Sequence, residues 1–154
     1  MAAPALRDGF RWAALTPELI VSDLKASLAF WIDLLGFSVV YERASEGFAY
    51  LELGAAQVML SQDRNMDRWI VAPLERPFGR GVNLQIYVED VAPALERLRA
   101  ANWPLHFEPE EKWYRAGDVE TGVLQFAVSD PDGYLVRPSQ SLGQRPLSAT
   151  SIKP

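Results

Sequence analysis

The sequence predicts an α+β protein made of two tandem β-α-β-β-β modules. Three observations carry that expectation. One motif is written twice, as V-S-D-L-K-A-S-L from Val21 and as V-E-D-V-A-P-A-L from Val88, 67 residues further on; an internal repeat of this kind marks a duplicated unit. In each copy the apolar pattern changes at the aspartate, from strand alternation to the spacing of a helix. After each helix, glycine and proline divide the chain into strand-length pieces. Duplication also implies a site built between the copies.

In the first module, Thr16–Val21 alternates with period two and reads as a strand. Asp23 is a natural N-cap, its carboxylate accepting from the unpaired amides of the first helical turn. Leu24, Leu28, Trp31 and Leu35 then form one apolar stripe, and Gly36 stops the helix. Phe37–Arg43, Phe48–Leu53 and Gln57–Gln62 are the later strands, separated by Gly47 and Gly54. In the second module, Val82–Val88 is the strand, and Asp90 caps a helix striped by Val91, Leu95 and Leu98. Pro93 falls in the first turn, where a missing amide does little harm. Leu105–Glu108, Val123–Ser129 and Tyr134–Pro138 follow, the last two joined by the turn Asp130-Pro131-Asp132-Gly133. The expected boundaries are 1–62 for the first module, 63–80 for a linker, 81–138 for the second module and 139–154 for a tail that frays. Residues 109–118 read as a polar loop.

Composition narrows the function. Hydrophobic residues make up 49% of the 154 residues, enough for a substantial core. The net charge of -5 argues against a phosphate-backbone binder, which needs surplus Lys and Arg, and suits a cationic partner. With no cysteine, thiolate metal sites, disulfides and cysteine nucleophiles are excluded. The N-terminal residues carry no long apolar run, so neither a signal peptide nor a membrane span is expected, and the expected location is the cytoplasm. Phosphate-loop and nucleophile-elbow motifs are absent, and the serines lack a plausible base because the chain has one histidine, His106.

The doubled β-α-β-β-β order, with F-A-V-S and then D-P-D-G-Y in the final hairpin, resembles the vicinal oxygen chelate superfamily. That group contains glyoxalase I, the extradiol dioxygenases, fosfomycin-resistance enzymes and bleomycin-resistance proteins. The resemblance covers Thr16 to Pro138, and the phrase S-L-A-F-W, with the ending S-L-G-Q-R-P, is most similar to the bleomycin-resistance branch. It implies modules whose mixed sheets curl around a cavity. It also implies a divalent metal in the enzymes, held by His and Glu. Carried over one at a time, those positions fall at Thr16, Met59 (Ser61 if the register slips), Asn83 and Arg137. Met is a soft ligand, Thr and Asn are weak neutral oxygens, and Arg is a permanent cation. No metal and no cofactor is therefore expected.

Strand parity nominates what the concave face presents instead. Asn83, Gln85 and Tyr87 point away from the helix side, as do Thr16, Glu18, Gln57, Met59, Ser61, Leu135 and Arg137. Amides, hydroxyls, an aromatic ring and two charges suit a polar organic ligand; the same groups would equally satisfy one another, and Glu18 and Arg137 could bridge. Trp113, Tyr114 and Arg115 are a second candidate, able to stack on a flat ring or to anchor a loop or a dimer interface. Trp69 on the linker has the same two readings. The candidate ligand-binding set is Glu18, Met59, Ser61, Asn83, Gln85, Tyr87, Trp113, Tyr114, Arg115 and Arg137, with no catalytic residue. The resemblance implies a homodimer that sequesters a cationic glycopeptide of the bleomycin type without turnover, and no nucleic-acid or membrane partner. The alternatives are a lyase or dioxygenase-type enzyme of the same superfamily with an atypical or absent metal site, and an interaction module with a filled cavity.

Overall fold

The computed structural model describes residues 6–62 and 67–147. The chain divides into two compact units, Met1–Val82 with Asp130–Tyr134, and Asn83–Ser129 with Leu135–Pro154. Each is built on one four-stranded mixed sheet.

In the first unit the order along the sheet is β1 (Glu18–Ile20), β4 (Ala56–Ser61), β3 (Phe48–Leu53) and β2 (Ser38–Arg43). β1 runs parallel to β4, which a crossover through a helix requires, and the other pairs are antiparallel. The first strand is shorter than the alternation suggests: Thr16 lies outside it. Asp23 caps α1 (Leu24–Leu28), accepting from the Ala26 N–H at 3.1 Å. The helix then widens into a π-helical stretch, Ala29–Leu34, in which the Leu35 N–H donates to the Phe30 carbonyl. That widening turns both Phe30 and Trp31 inward, where they are fully buried with Leu19, Leu51 and Leu60. Gly36 ends the segment at φ 90°, the left-handed conformation a helix stop favours.

The D-P-D-G-Y turn packs with this first unit, and it does more than reverse the chain. Asp130 and Asp132 are both buried. Asp132 accepts from the Ser22 N–H at 2.8 Å and the Ser22 hydroxyl at 2.6 Å, and pairs with Arg76 at 2.7 Å. Asp130 accepts from the indole of Trp31 at 3.3 Å and from the Asp132 and Tyr134 amides. Burial raises the Asp130 carboxyl above its ordinary pKa, against these donors. The Tyr134 hydroxyl donates to the Ile20 carbonyl at 2.9 Å; burial, and then the two aspartates, push its pKa up to about 12.

In the second unit the order is β5 (Asn83–Val88), β8 (Leu135–Pro146), β7 (Val119–Ser129) and β6 (Leu105–Ala116). β5 is parallel to β8. The helix α2 (Ala92–Ala100) starts later than Asp90 predicts. Val91 takes the cap position, and the Asp90 carboxylate reaches forward to the Ala92 N–H at 2.8 Å. Val91, Ala94 and Leu98 are buried, as are Ile86, Phe126 and Val136 of the sheet. The Trp103 indole, donating to the Ser129 carbonyl at 3.0 Å, ties the helix end to β7.

Two expectations are corrected here. Residues 109–118 are no loop: Pro109–Ala116 belong to β6, which hairpins into β7 through Gly117-Asp118, with Gly117 at φ 71°. Residues 139–146 are no frayed tail but the second half of β8, paired with β7 as far as Val119–Pro146. In both, the residues are largely exposed and polar, so the apolar alternation that marks a strand is missing, while each stretch pairs with β7, with a bulge beside Gly122. Of the expected 63–80 linker, Asp67–Trp69 is a short 3₁₀ turn and residues 63–66 lie outside the described residues. Among the described residues no helix is long and apolar enough to cross a membrane.

Candidate functional site

The first sheet has a closed face and an open one. Leu19, Ala49, Leu51, Val58 and Leu60 are buried on the closed face. Register puts Glu18 beside Met59 and Ile20 beside Ser61, and Ser61 opposite Phe48, so the odd-numbered residues of β4 share the open face with Glu18, as strand parity predicts.

Half of that open face is already occupied by the chain itself. The Gln57 side chain accepts from the Ala13 N–H and the Tyr50 hydroxyl, and donates to the Arg11 carbonyl, each at 2.7 Å. Arg7 pairs with Glu52 at 2.7 Å. Phe10 and Trp12 pack edge-on against Tyr50, which stacks on Tyr41 at 5.3 Å. Thr16 shares a 3.1 Å hydrogen bond with Tyr50. The N-terminal segment is thus a cover, for which the sequence carries no periodic signal.

The other half is open. A cavity of about 290 Å³ is bounded by Glu18, Tyr41, Arg43, Met59, Ser61 and Trp69, among others. A second, of about 350 Å³, lies between Glu18, Ile20, Trp69, Leu74, Phe78 and Tyr134, again among others. Glu18 and Trp69 line both. Trp69 is 61% exposed, so it stands as a wall between cavities rather than as an anchor in the core. The basic residues at these cavities are engaged: Arg43 pairs with Glu46 at 2.7 Å and lies 3.9 Å over Phe48, and Arg80 pairs with Glu75 at 3.5 Å. Among the described residues of the first unit no Lys or Arg pairs with Glu18, so its carboxylate is the charge left over. Tyr41 nearby has its pKa raised, chiefly by burial.

The remaining candidates lie in the second unit. Asn83, Gln85 and Tyr87 are exposed on one face of β5, beside Leu135, Arg137 and Ser139 of β8. Arg137 donates to Gln85 at 3.0 Å and to Gln125 at 3.2 Å, and Gln125 donates to Tyr114 at 2.9 Å and Glu110 at 3.1 Å. Gln85, Tyr114 and Arg137 thus come together, with two members, Gln125 and Glu110, that sequence reasoning missed because bulges in β6 shift its register against β7.

Trp113, Tyr114 and Arg115 do not form one stacking platform, because on a strand they alternate between faces. Trp113 takes the other face, where its indole donates to Glu111 at 2.7 Å and its ring lies 3.9 Å under Arg145 and directly against Gly122. Arg145 is held in turn by the buried carboxylate of Glu120 at 2.7 Å. Trp113 is an anchor of the ribbon. Arg115 donates back to the Gly117 carbonyl at 3.0 Å and finishes the hairpin.

The donors do not fit the divalent metal of the superfamily's enzymes. Thr16 is engaged by Tyr50, and Arg137 directs a guanidinium at two amides. Among the described residues no three His, Asp or Glu side chains cluster in a way that could hold a metal ion.

A two-unit α+β fold of paired β-α-β-β-β modules, with the carried-over ligand positions altered, defines a class. The glyoxalase/bleomycin resistance protein/dioxygenase superfamily model matches residues 12–137, and the chain belongs to that superfamily. Solved structures agree in fold. TioX from Micromonospora sp. ML1 is 20% identical, with 83% of this chain and 98% of that one covered, at a TM-score of 0.62. Virulence protein STM3117 from Salmonella typhimurium is 23% identical, covering 81% and 93%, at 0.58. Lactoylglutathione lyase from Agrobacterium tumefaciens is 19% identical, covering 84% and 95%, at 0.53. No curated protein matches the sequence significantly.

Proposed function

We propose that the protein binds a cationic, ring-bearing small molecule and sequesters it without turnover, in the manner of bleomycin-resistance proteins. One observation carries the reading: the carboxylate of Glu18, which pairs with no Lys or Arg among the described residues of its unit, lines two cavities that share an exposed indole, Trp69. The carboxylate attracts a cation, the indole stacks a flat ring or a cationic group, and Tyr41 and Met59 add apolar surface. The chain's net charge of -5 draws the same ligand from a distance.

The test is a thermal-shift titration with Cu-bleomycin, run beside Ni and Zn salts alone. A ligand that binds the native state raises the melting temperature by mass action. A saturable rise with the drug and none with the metals is the expected result. Glu18→Gln should weaken binding about tenfold, since a hydrogen-bonded charge contributes roughly 1.5–3 kcal/mol. A rise with metal alone would point back to an enzyme, and no rise with the drug would sink the bleomycin assignment.

A further inference from the structure

Glu18 and Gln85 are the same position of the repeat, 67 residues apart. Register extends the equivalence to the last strands: Glu18 pairs with Met59, and Gln85 with Arg137. The pair is acid with thioether in one unit and amide with guanidinium in the other. Equivalent places in the two modules therefore hold opposite charges.

The guanidinium of Arg137 is aimed. Its two terminal nitrogens donate to the Gln85 and Gln125 carbonyls at 3.0 and 3.2 Å. Gln125 is only 2% exposed, and its amide nitrogen is spent on Tyr114 and Glu110, which fixes its carbonyl toward Arg137. Glu110 is thereby turned to that amide and away from the guanidinium. Among the described residues of the second unit no carboxylate pairs with Arg137, and its Nε–H is buried without a partner. Neutral carbonyls compensate a partly buried cation less well than an anion does, and the guanidinium fork matches a carboxylate in bidentate geometry. The Gln85 side chain is exposed, which leaves that end of the fork open to solvent.

We propose that this face is an anion site for a carboxylate-bearing small molecule, held by Arg137 with Gln85 and Gln125 as its rests. The test is an NMR titration of the full ¹⁵N-labelled chain with sodium succinate, and separately with inorganic phosphate, at ionic strength held constant with NaCl. The Arg137 Nε–H resonance is identified by its loss in Arg137→Lys. A saturable shift of that resonance with succinate is expected, with phosphate weaker. Gln85→Glu puts a carboxylate within reach of the fork; it should melt at or above the parent temperature and lose at least tenfold in succinate affinity. Arg137→Lys, read on the Gln85 and Gln125 side-chain amide resonances because it lacks the arginine reporter, keeps the charge without the fork and should lose severalfold, which provides a second reading if the first variant fails to fold. No saturable shift in the parent overturns the site, as does unchanged affinity in the variants. A response to phosphate alone overturns the carboxylate assignment.

Discussion

Asp132 ties the final turn to Ser22 of the first unit, and its removal gives a measurable contrast. Its carboxylate is 1% exposed and takes three contacts: the Ser22 amide at 2.8 Å, the Ser22 hydroxyl at 2.6 Å and Arg76 at 2.7 Å. Hydrogen bonds to a charged acceptor contribute roughly 1.5–3 kcal/mol each, and an orphaned buried amide costs about the same. The Arg76 side chain, by contrast, is 57% exposed and returns to water when its partner is lost, so its share is at most about 1 kcal/mol. Asp132→Ala should therefore cost about 3–5 kcal/mol, and Arg76→Ala about 1 kcal/mol or less. Urea unfolding followed by tryptophan fluorescence and by circular dichroism measures both, provided the two probes coincide. If Asp132→Ala costs less than about 1 kcal/mol, or no more than Arg76→Ala, the assignment of the load to the Ser22 bonds is wrong. Arg76 also donates to the Pro131 carbonyl at 2.7 Å, close in sequence to the Trp69–Phe78 wall of the larger cavity, so the same variants should weaken ligand binding on that wall.

Two further outcomes follow from the packing. The folded state keeps the Tyr134 phenol neutral up to about 12, while an unfolded chain ionises near the ordinary value of 10.0. Its contribution is therefore intact below pH 10 and is lost as pH climbs from 10 to 12, a fall of about 2–3 kcal/mol. Tyr134→Phe should cost about 1 kcal/mol at neutral pH for the bond to Ile20 and then show no such alkaline step, as read from denaturation midpoints across pH. At Gly122, an added Cβ would sit 2.7 Å from three atoms of the Trp113 ring. Gly122→Ala should then destabilise by about 1–3 kcal/mol and shift Trp emission as the ring is displaced from under Arg145. Adding Trp113→Ala should remove the penalty, and simple additivity in the double variant would refute the clash.

Where one face of an element is apolar, the sequence is easily read. β3 runs over Phe48–Leu53 between the two glycines that mark it, and Asp23 caps its helix because an aspartate before an apolar stripe has few other uses. The open-face set Glu18, Met59 and Ser61 follows from period two alone. Legibility fails where both faces are polar. The outer stretches 110–116 of β6 and 141–146 of β8 are largely exposed and polar, so only the turn, Gly117-Asp118, announces a hairpin. It fails again where a contact crosses long sequence distances without a pattern: nothing near Arg11 or Ala13 foretells that Gln57, 44 residues from Ala13, will hold them. Trp69 was ambiguous for a related reason, since an isolated aromatic ahead of two prolines suits an anchor and a wall equally, and only its exposure decides. Glu110 was hidden because residues 109–118 read as a loop, and two bulges in β6 reset the parity that would have set it beside Gln125.

The duplicated architecture explains how one small chain can present two chemistries. After duplication, each module keeps the residues its sheet needs on the helix side, Leu19 and Leu60 in one, Ile86 and Val136 in the other. The opposite face is free of that constraint, and there the copies differ in kind. In the first, a glutamine recruits the chain's own N-terminal segment and leaves Glu18 at the edge of the covered area. In the second, glutamines orient Arg137. Among the described residues neither arrangement gathers three His, Asp or Glu donors that could hold a metal, and Arg137 adds a charge that opposes one. Arg137→Glu alone would therefore not rebuild a metal site: it would supply one carboxylate where several ligands are needed, and the carbonyl oxygens of Gln85 and Gln125 now turned to Arg137 would face it with like partial charge. The face is organised as a unit around a guanidinium, so no single substitution at Arg137 returns it to a metal centre.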